Sequence, residues 1–109
     1  MEEYYFDEEI KKITEKLKKD YRPLKIILFG SSAEGKAGKD SDIDMLIIKE
    51  TRESYQERWM NVCKLVRDFK RRIPFEPIVL TPGELDQRLS IKDTFVKSIL
   101  EKGKVLYGQ

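Results

Sequence analysis

The chain of 109 residues contains no histidine. That absence removes Ser-His-Asp and Cys-His catalysis and every His-ligated zinc site, so any metal must be held by oxygen ligands. Cysteine occurs once, at Cys63, which excludes a disulfide within one chain and suits a reducing cytosol. Its place in an apolar helical stripe makes it a small core residue rather than a nucleophile. No apolar run approaches the ~18 residues of a membrane span. The acidic amino-terminal stretch does not resemble a signal peptide either, so a cytoplasmic protein with no membrane partner is expected. The net charge is only +2, from 22 basic and 20 acidic residues. Charge alone therefore gives no case for direct nucleic-acid binding.

What is present is a richly charged chain, with 39% charged and 39% apolar residues, enough to bury the core of one domain over residues 1–109. Its most informative stretch runs from Leu28 to Ile48, LFGSSAEGKAGKDSDIDMLII: two apolar runs joined by a small, polar, glycine-bearing loop. The first run, Leu24 to Phe29, ends in Gly30-Ser31 and reads as a buried strand that turns sharply. Exposed backbone N–H groups just beyond such a turn can hold phosphate oxygens. The second run, Asp42 to Ile48, reads as a strand paired with the first. Residues two apart in a strand share a face, so Asp42 and Asp44 point the same way, roughly 6–7 Å apart at Cα. Two carboxylates beside a phosphate-holding turn point to metal-assisted phosphoryl or nucleotidyl transfer.

The flanking chain alternates helices and strands. Ile10, Ile13 and Leu17 predict a helix from about Asp7, its N-cap, to Asp20. Tyr55, Trp59, Val62, Val66, Phe69 and Ile73 form one apolar stripe and predict a long helix, capped by Thr51 or Ser54, reaching about Arg72. Core packing for Tyr55 and Trp59 is expected over base stacking. Phe75 to Leu80 reads as a third strand, at an edge because Pro77 lacks a donor. Thr81-Pro82-Gly83-Glu84 is a helix start, with Thr at the N-cap and Glu at the third position. A short helix to about Leu89 follows, then another from Ile91 to Glu101 ended by Gly103. Val105 to Tyr107 forms a final short strand or tail. The fold class is α/β (α+β): a small mixed β-sheet with helices packed on it.

Gly30-Ser31, ten intervening residues, then Asp42-Ile43-Asp44, with strands on both sides, closely resembles the signature of the minimal nucleotidyltransferases of the DNA polymerase beta-like superfamily. The order of elements from about residue 7 to 107 is similar too. The resemblance implies a palm-like domain that transfers a nucleoside monophosphate, AMP from ATP, onto an acceptor hydroxyl. Asp42 and Asp44 would be catalytic and hold Mg²⁺, two ions in the usual arrangement. Glu76 would supply the third carboxylate, at a position where Asp is commoner. Gly30 and Ser31 would contact the triphosphate, helped by Lys36 and Lys39. Relatives often carry Arg four positions after the glycine, where this chain has Glu34. Small members often pair with a HEPN-domain toxin and adenylylate one of its tyrosines, acting as antitoxin, so a HEPN-type partner is expected. The alternative is a binding module that neutralises such a partner by contact. Homodimerisation stays open.

Overall fold

The computed structural model describes residues 2–35, 41–68 and 72–108, with side chains from Tyr5 onward. The elements follow in the order α1 (Glu2–Lys16), a π-helical turn (Leu17–Tyr21), β1 (Lys25–Phe29), β2 (Ile43–Ile48), α2 (Tyr55–Leu65), β3 (Phe75–Leu80), α3 (Pro82–Ser90), α4 (Thr94–Lys102) and β4 (Lys104–Tyr107). The sheet is mixed, with strand order β3-β2-β1-β4. β1 pairs antiparallel with both β2 and β4, whereas β2 and β3 run parallel. A parallel pair needs a crossover rather than a hairpin, and α2 lies within that connection.

Strand periodicity splits the apolar residues between two faces. On one face Ile26 and Leu28 of β1, Ile43, Met45 and Ile47 of β2 and Val79 of β3 pack with Phe6, Ile13 and Leu17 of the first helical segment and Val62 and Val66 near α2. On the other, Ile27, Leu46, Ile48 and Leu80 pack with Ile99 of α4, and Leu85 of α3 lies against them. The sheet is thus the middle of three layers. Pro77 falls on an edge strand, as its missing donor requires.

Four helix boundaries differ from the sequence reading. α1 begins at Glu2, so Asp7 lies inside it and caps nothing. Phe6 is buried, and the Arg72 N–H donates to Tyr5 Oη at 3.2 Å, so packing draws the first residues into the helix. α1 also ends in a wider turn, which closes when the Arg22 N–H donates to Leu17 O at 2.9 Å with Arg22 at φ 56°. α2 starts at its Ser54 capping box but stops at Leu65, and the expectation for Phe69 lies outside the described residues. Ile73 is buried without being helical: it enters the core on the approach to β3. α4 starts at Thr94 because Asp93 caps it, Oδ1 accepting from the N–H groups of Phe95 and Val96. Cys63 is only partly buried.

The inward face of α2 is also rotated from the expected one. Tyr55 and Trp59 remain 44% and 42% exposed, while Val62 and Arg58 turn inward. The cause is the acceptor set that meets Arg58. Its Nε donates to Glu53 O, Nη1 to Val79 O, and the guanidinium grips the Glu84 carboxylate at 2.6 and 3.1 Å. A buried guanidinium is tolerated only when its donors are met in this way. Glu84 also accepts from the Thr81 N–H to close the α3 capping box, so one carboxylate ties α2, β3 and α3 together.

Candidate active site

β1 ends where the chain needs a left-handed residue. Gly30 has φ +78°, and a Cβ placed there would lie 2.5 Å from Asp44 Oδ2. Glycine is therefore required twice, by conformation and by the approach of the carboxylate. The turn that follows folds back on itself, the N–H groups of Ala33 and Glu34 both donating to Gly30 O. Two hydroxyls fasten it to the start of β2: Ser31 Oγ bonds to Ser41 Oγ at 3.1 Å, and Ser32 Oγ donates to Asp42 O at 2.9 Å. Ser31 thus spends its hydroxyl on the loop. Among the described residues none accepts from its backbone N–H or that of Ser32, which leaves these amides for an anion.

The acids lie next to this turn. In register, Phe29 of β1 faces Asp44 of β2, and Asp44 faces Glu76 of β3. Asp44 and Glu76 are therefore ladder neighbours on one face, with strands ≈ 4.8 Å apart. That face is the one whose other rows are covered by α3 and α4. Asp42 lies one residue before β2 begins, close enough for its charge to act on the Asp44 carboxyl. Asp42 and Asp44 are half-buried and Glu76 is exposed. Burial pushes the Asp44 carboxyl above the ordinary Asp range, and the negative charges of Asp42 and then Glu76 push it further.

Negative charge is thus concentrated here, with no counter-charge paired to it among the described residues; the ion pairs lie elsewhere. Oxygen donors of one sign beside free amides fit a hard divalent ion and a polyphosphate, so Asp42, Asp44 and Glu76 could hold Mg²⁺. They flank one another rather than close into a cage: among the described residues no group of three His, Cys, Asp or Glu side chains is drawn together that tightly. Lys36 and Lys39, expected at the phosphates, lie outside the described residues. Glu34 is exposed in the turn. A hollow of about 610 Å³, lined by α1, Leu28 of β1, the turn and β4, includes Ile10 and Leu28, which pack on the opposite face. It is not where the carboxylates sit.

Two features escaped sequence reasoning. Arg58 could have been found as the residue one helical turn before Val62, but Trp59 offered a more apolar alternative. The second is a groove of about 370 Å³ in which Tyr55, Gln56 and Trp59 of α2 face Glu76, Pro77 and Ile78 of β3.

A mixed sheet flanked by helices, with a glycine turn leading to paired acids on the next strand, defines a nucleotidyl-transfer fold. The chain belongs to the polymerase beta, nucleotidyltransferase family, whose sequence model matches residues 11–109. It is 35% identical over 101 residues to a Methanocaldococcus jannaschii protein that carries the provisional name protein adenylyltransferase, covering 90% of this chain and 94% of that one. It also resembles a crystal structure from Sulfolobus solfataricus, provisionally named a nucleotidyltransferase. That match has a TM-score of 0.56 and 28% identity, over 73% of this chain and 70% of the other. Among the described residues no helix is long and apolar enough to cross a membrane.

Proposed function

We propose that this nucleotidyltransferase moves AMP from ATP onto a tyrosine hydroxyl of a protein partner, a HEPN-type toxin for which it serves as antitoxin. The observation that carries the catalytic part is the close approach of Gly30 to Asp44, with Glu76 next to Asp44 in register. The turn that would hold the triphosphate and the acids that would act on it form one unit. The provisional name of the Methanocaldococcus jannaschii relative supports a protein acceptor.

In the transfer, the acceptor oxygen bonds to the α-phosphorus while the bridging α–β P–O bond breaks and pyrophosphate leaves. The acceptor's proton goes to the exposed Glu76 carboxylate. The N–H groups of Ser31 and Ser32 hold phosphate oxygens, and Gly30 admits them. Mg²⁺ held by Asp42, Asp44 and Glu76 would supply the charge that offsets the phosphates.

Incubation with α-labelled ATP, Mg²⁺ and the candidate HEPN protein tests this reading. Label on the partner's tyrosine that is lost in Asp42→Asn supports it. The exposed carboxylate of Glu34 in the phosphate turn favours one rival, a module that neutralises its partner by contact. Toxin inhibition that survives Asp42→Asn undiminished would establish the rival.

A further inference from the structure

We propose that the groove between α2 and β3 is the acceptor site, where a tyrosine-bearing, uncharged stretch of a polypeptide docks against Trp59, Tyr55, Pro77 and Ile78 and is led to Glu76. This rests on the transferase reading and adds where the acceptor binds and of what chemistry it is.

Three observations converge on this occupant. The first is continuity. Glu76 lines the groove and is also the register neighbour of Asp44, so groove and acids share a residue. The second is polarity across the sheet. The Gly30 turn leaves from β1, on one side of Asp44, and Glu76 with its groove lies on the other side, at the β3 edge. An in-line displacement places leaving pyrophosphate and attacking oxygen on opposite sides of the α-phosphorus. With the polyphosphate held at the glycine turn, the acceptor arrives from the groove.

The third is chemistry. Among the described residues no lysine or arginine lines the groove, and the one charged side chain there is the Glu76 carboxylate. A nucleic-acid strand would bring phosphates towards that carboxylate without a cation to meet them. Exposed Trp and Tyr beside Pro and Ile are instead the anchors of a protein contact. The partner binds through side chains rather than as an added strand, because the β3 edge is blunted. Pro77 has no N–H, and the outward carbonyl of Val79 already accepts from Arg58.

Trp59 is the only tryptophan in the chain, so its emission reports on the groove directly. The probe is a pool of short random peptides with one fixed tyrosine, titrated into the protein with and without Mg·ATP. The pool is expected to shift Trp59 emission to the blue and to accept label from α-labelled ATP. Trp59→Ala and Tyr55→Ala, both at exposed positions, should raise the KM for peptide about tenfold, with Trp59→Phe restoring most of it. The KM for Mg·ATP should move by less than about twofold.

Four results would overturn the assignment. Mg·ATP alone shifting Trp59 emission would give the groove to the donor's base. An RNA oligonucleotide shifting it where the peptides do not would give it to nucleic acid. Unchanged peptide KM in both alanine variants would place the acceptor elsewhere and leave the transferase intact. A pool neither bound nor labelled would exclude a tyrosine peptide as occupant. In that last case Asp44-dependent labelling of proteins in a cell extract decides separately whether the transferase reading stands.

Discussion

Replacing Asp44 with Asn should make the protein more stable and, at the same time, inactive. In the folded state this carboxylate is half-buried between Asp42 and Glu76, and all three influences raise its pKa. Two unit charges ~6 Å apart at an effective dielectric near 40 repel by about 1 kcal/mol. Solvent screening at this partly open site limits the total to about 1–2 kcal/mol for both neighbours. A neutral amide of the same shape removes that cost and can donate to either neighbour. The melting temperature should therefore rise by about 4 °C per kcal/mol relieved, while transfer falls about a hundredfold or more.

The pH dependence separates this cause from a packing effect. A carboxyl whose folded pKa is raised binds its proton more tightly in the native state, so wild-type stability falls as pH rises from the ordinary Asp value through the raised one. Above that window the deficit is constant; below it, wild type and Asp44→Asn converge. Mg²⁺ should raise the melting temperature of wild type, because an ion bound only by the native state stabilises it, and should do so far less in the variant. Thermal melts across acid to neutral pH, with and without Mg²⁺, give the whole comparison. A variant that melts at or below wild type at neutral pH, with an unaltered Mg²⁺ response, would refute the reasoning.

The remaining predictions concern the turn and the supports of the site. Gly30→Ala forces a left-handed alanine, at about 1–2 kcal/mol, and drives its Cβ into Asp44 Oδ2, so melts should show lower stability and kinetics a loss of transfer. Gly35, also at positive φ but with nothing within 4 Å of its Cβ position, should show the backbone cost alone on mutation to Ala, isolating the Asp44 clash. Glu84→Gln weakens the grip on buried Arg58 and should lower the urea midpoint by the equivalent of about 1–2 kcal/mol, allowing for the exposure of the carboxylate. The hydrogen bond from Arg58 holds the Glu84 pKa below its ordinary value. Wild type should therefore lose this contribution as pH falls from the ordinary Glu value through the depressed one, whereas the Gln variant should not. Thr81→Ala removes an N-cap that accepts from the Glu84 N–H and should cost about 1 kcal/mol in the same titration.

The glycine turn and its approach to Asp44 were legible because they are local. Gly30 follows the end of β1, and Asp42 and Asp44 lie at the start of its antiparallel neighbour β2, so their spacing carries much of their geometry. β3 and the α3 cap were equally legible, since Thr81, Pro82 and Glu84 encode a helix start within four residues. What sequence could not show was which side of α2 turns inward. Val62 lies one turn after both Arg58 and Trp59, and hydrophobicity favours the tryptophan. The choice is made by Val79 O and Glu84, more than twenty residues away, which satisfy Arg58 where no apolar contact could. The same long-range choice leaves Trp59 and Tyr55 outside. The start of α1 was misplaced for a related reason: the burial of Phe6, not a capping side chain, decides how far the helix extends.

Why the candidate site lies where it does follows from the rows of one sheet face. Lys25, Ile48 and Leu80 form one row, Ile27, Leu46 and Ile78 the next, and Phe29, Asp44 and Glu76 the third. The first two rows pack under α3 and α4, with Leu46 fully buried and Ile99 3% exposed. The third begins where that cover ends, at the edge-to-face pair of Phe29 with Phe95 in the first turn of α4. Moved two residues further along β2, Asp44 would occupy the place of Leu46, too dry for a carboxylate to stay ionised. Moved two residues back it would lie outside the strand, at Asp42, without a ladder neighbour to fix its distance from Glu76. At the boundary it is half-buried, dry enough to strengthen the field of its charge and wet enough to be reached from solvent. The placement of Asp44 is therefore a consequence of where α4 starts, and the stability it costs is the measure of that placement.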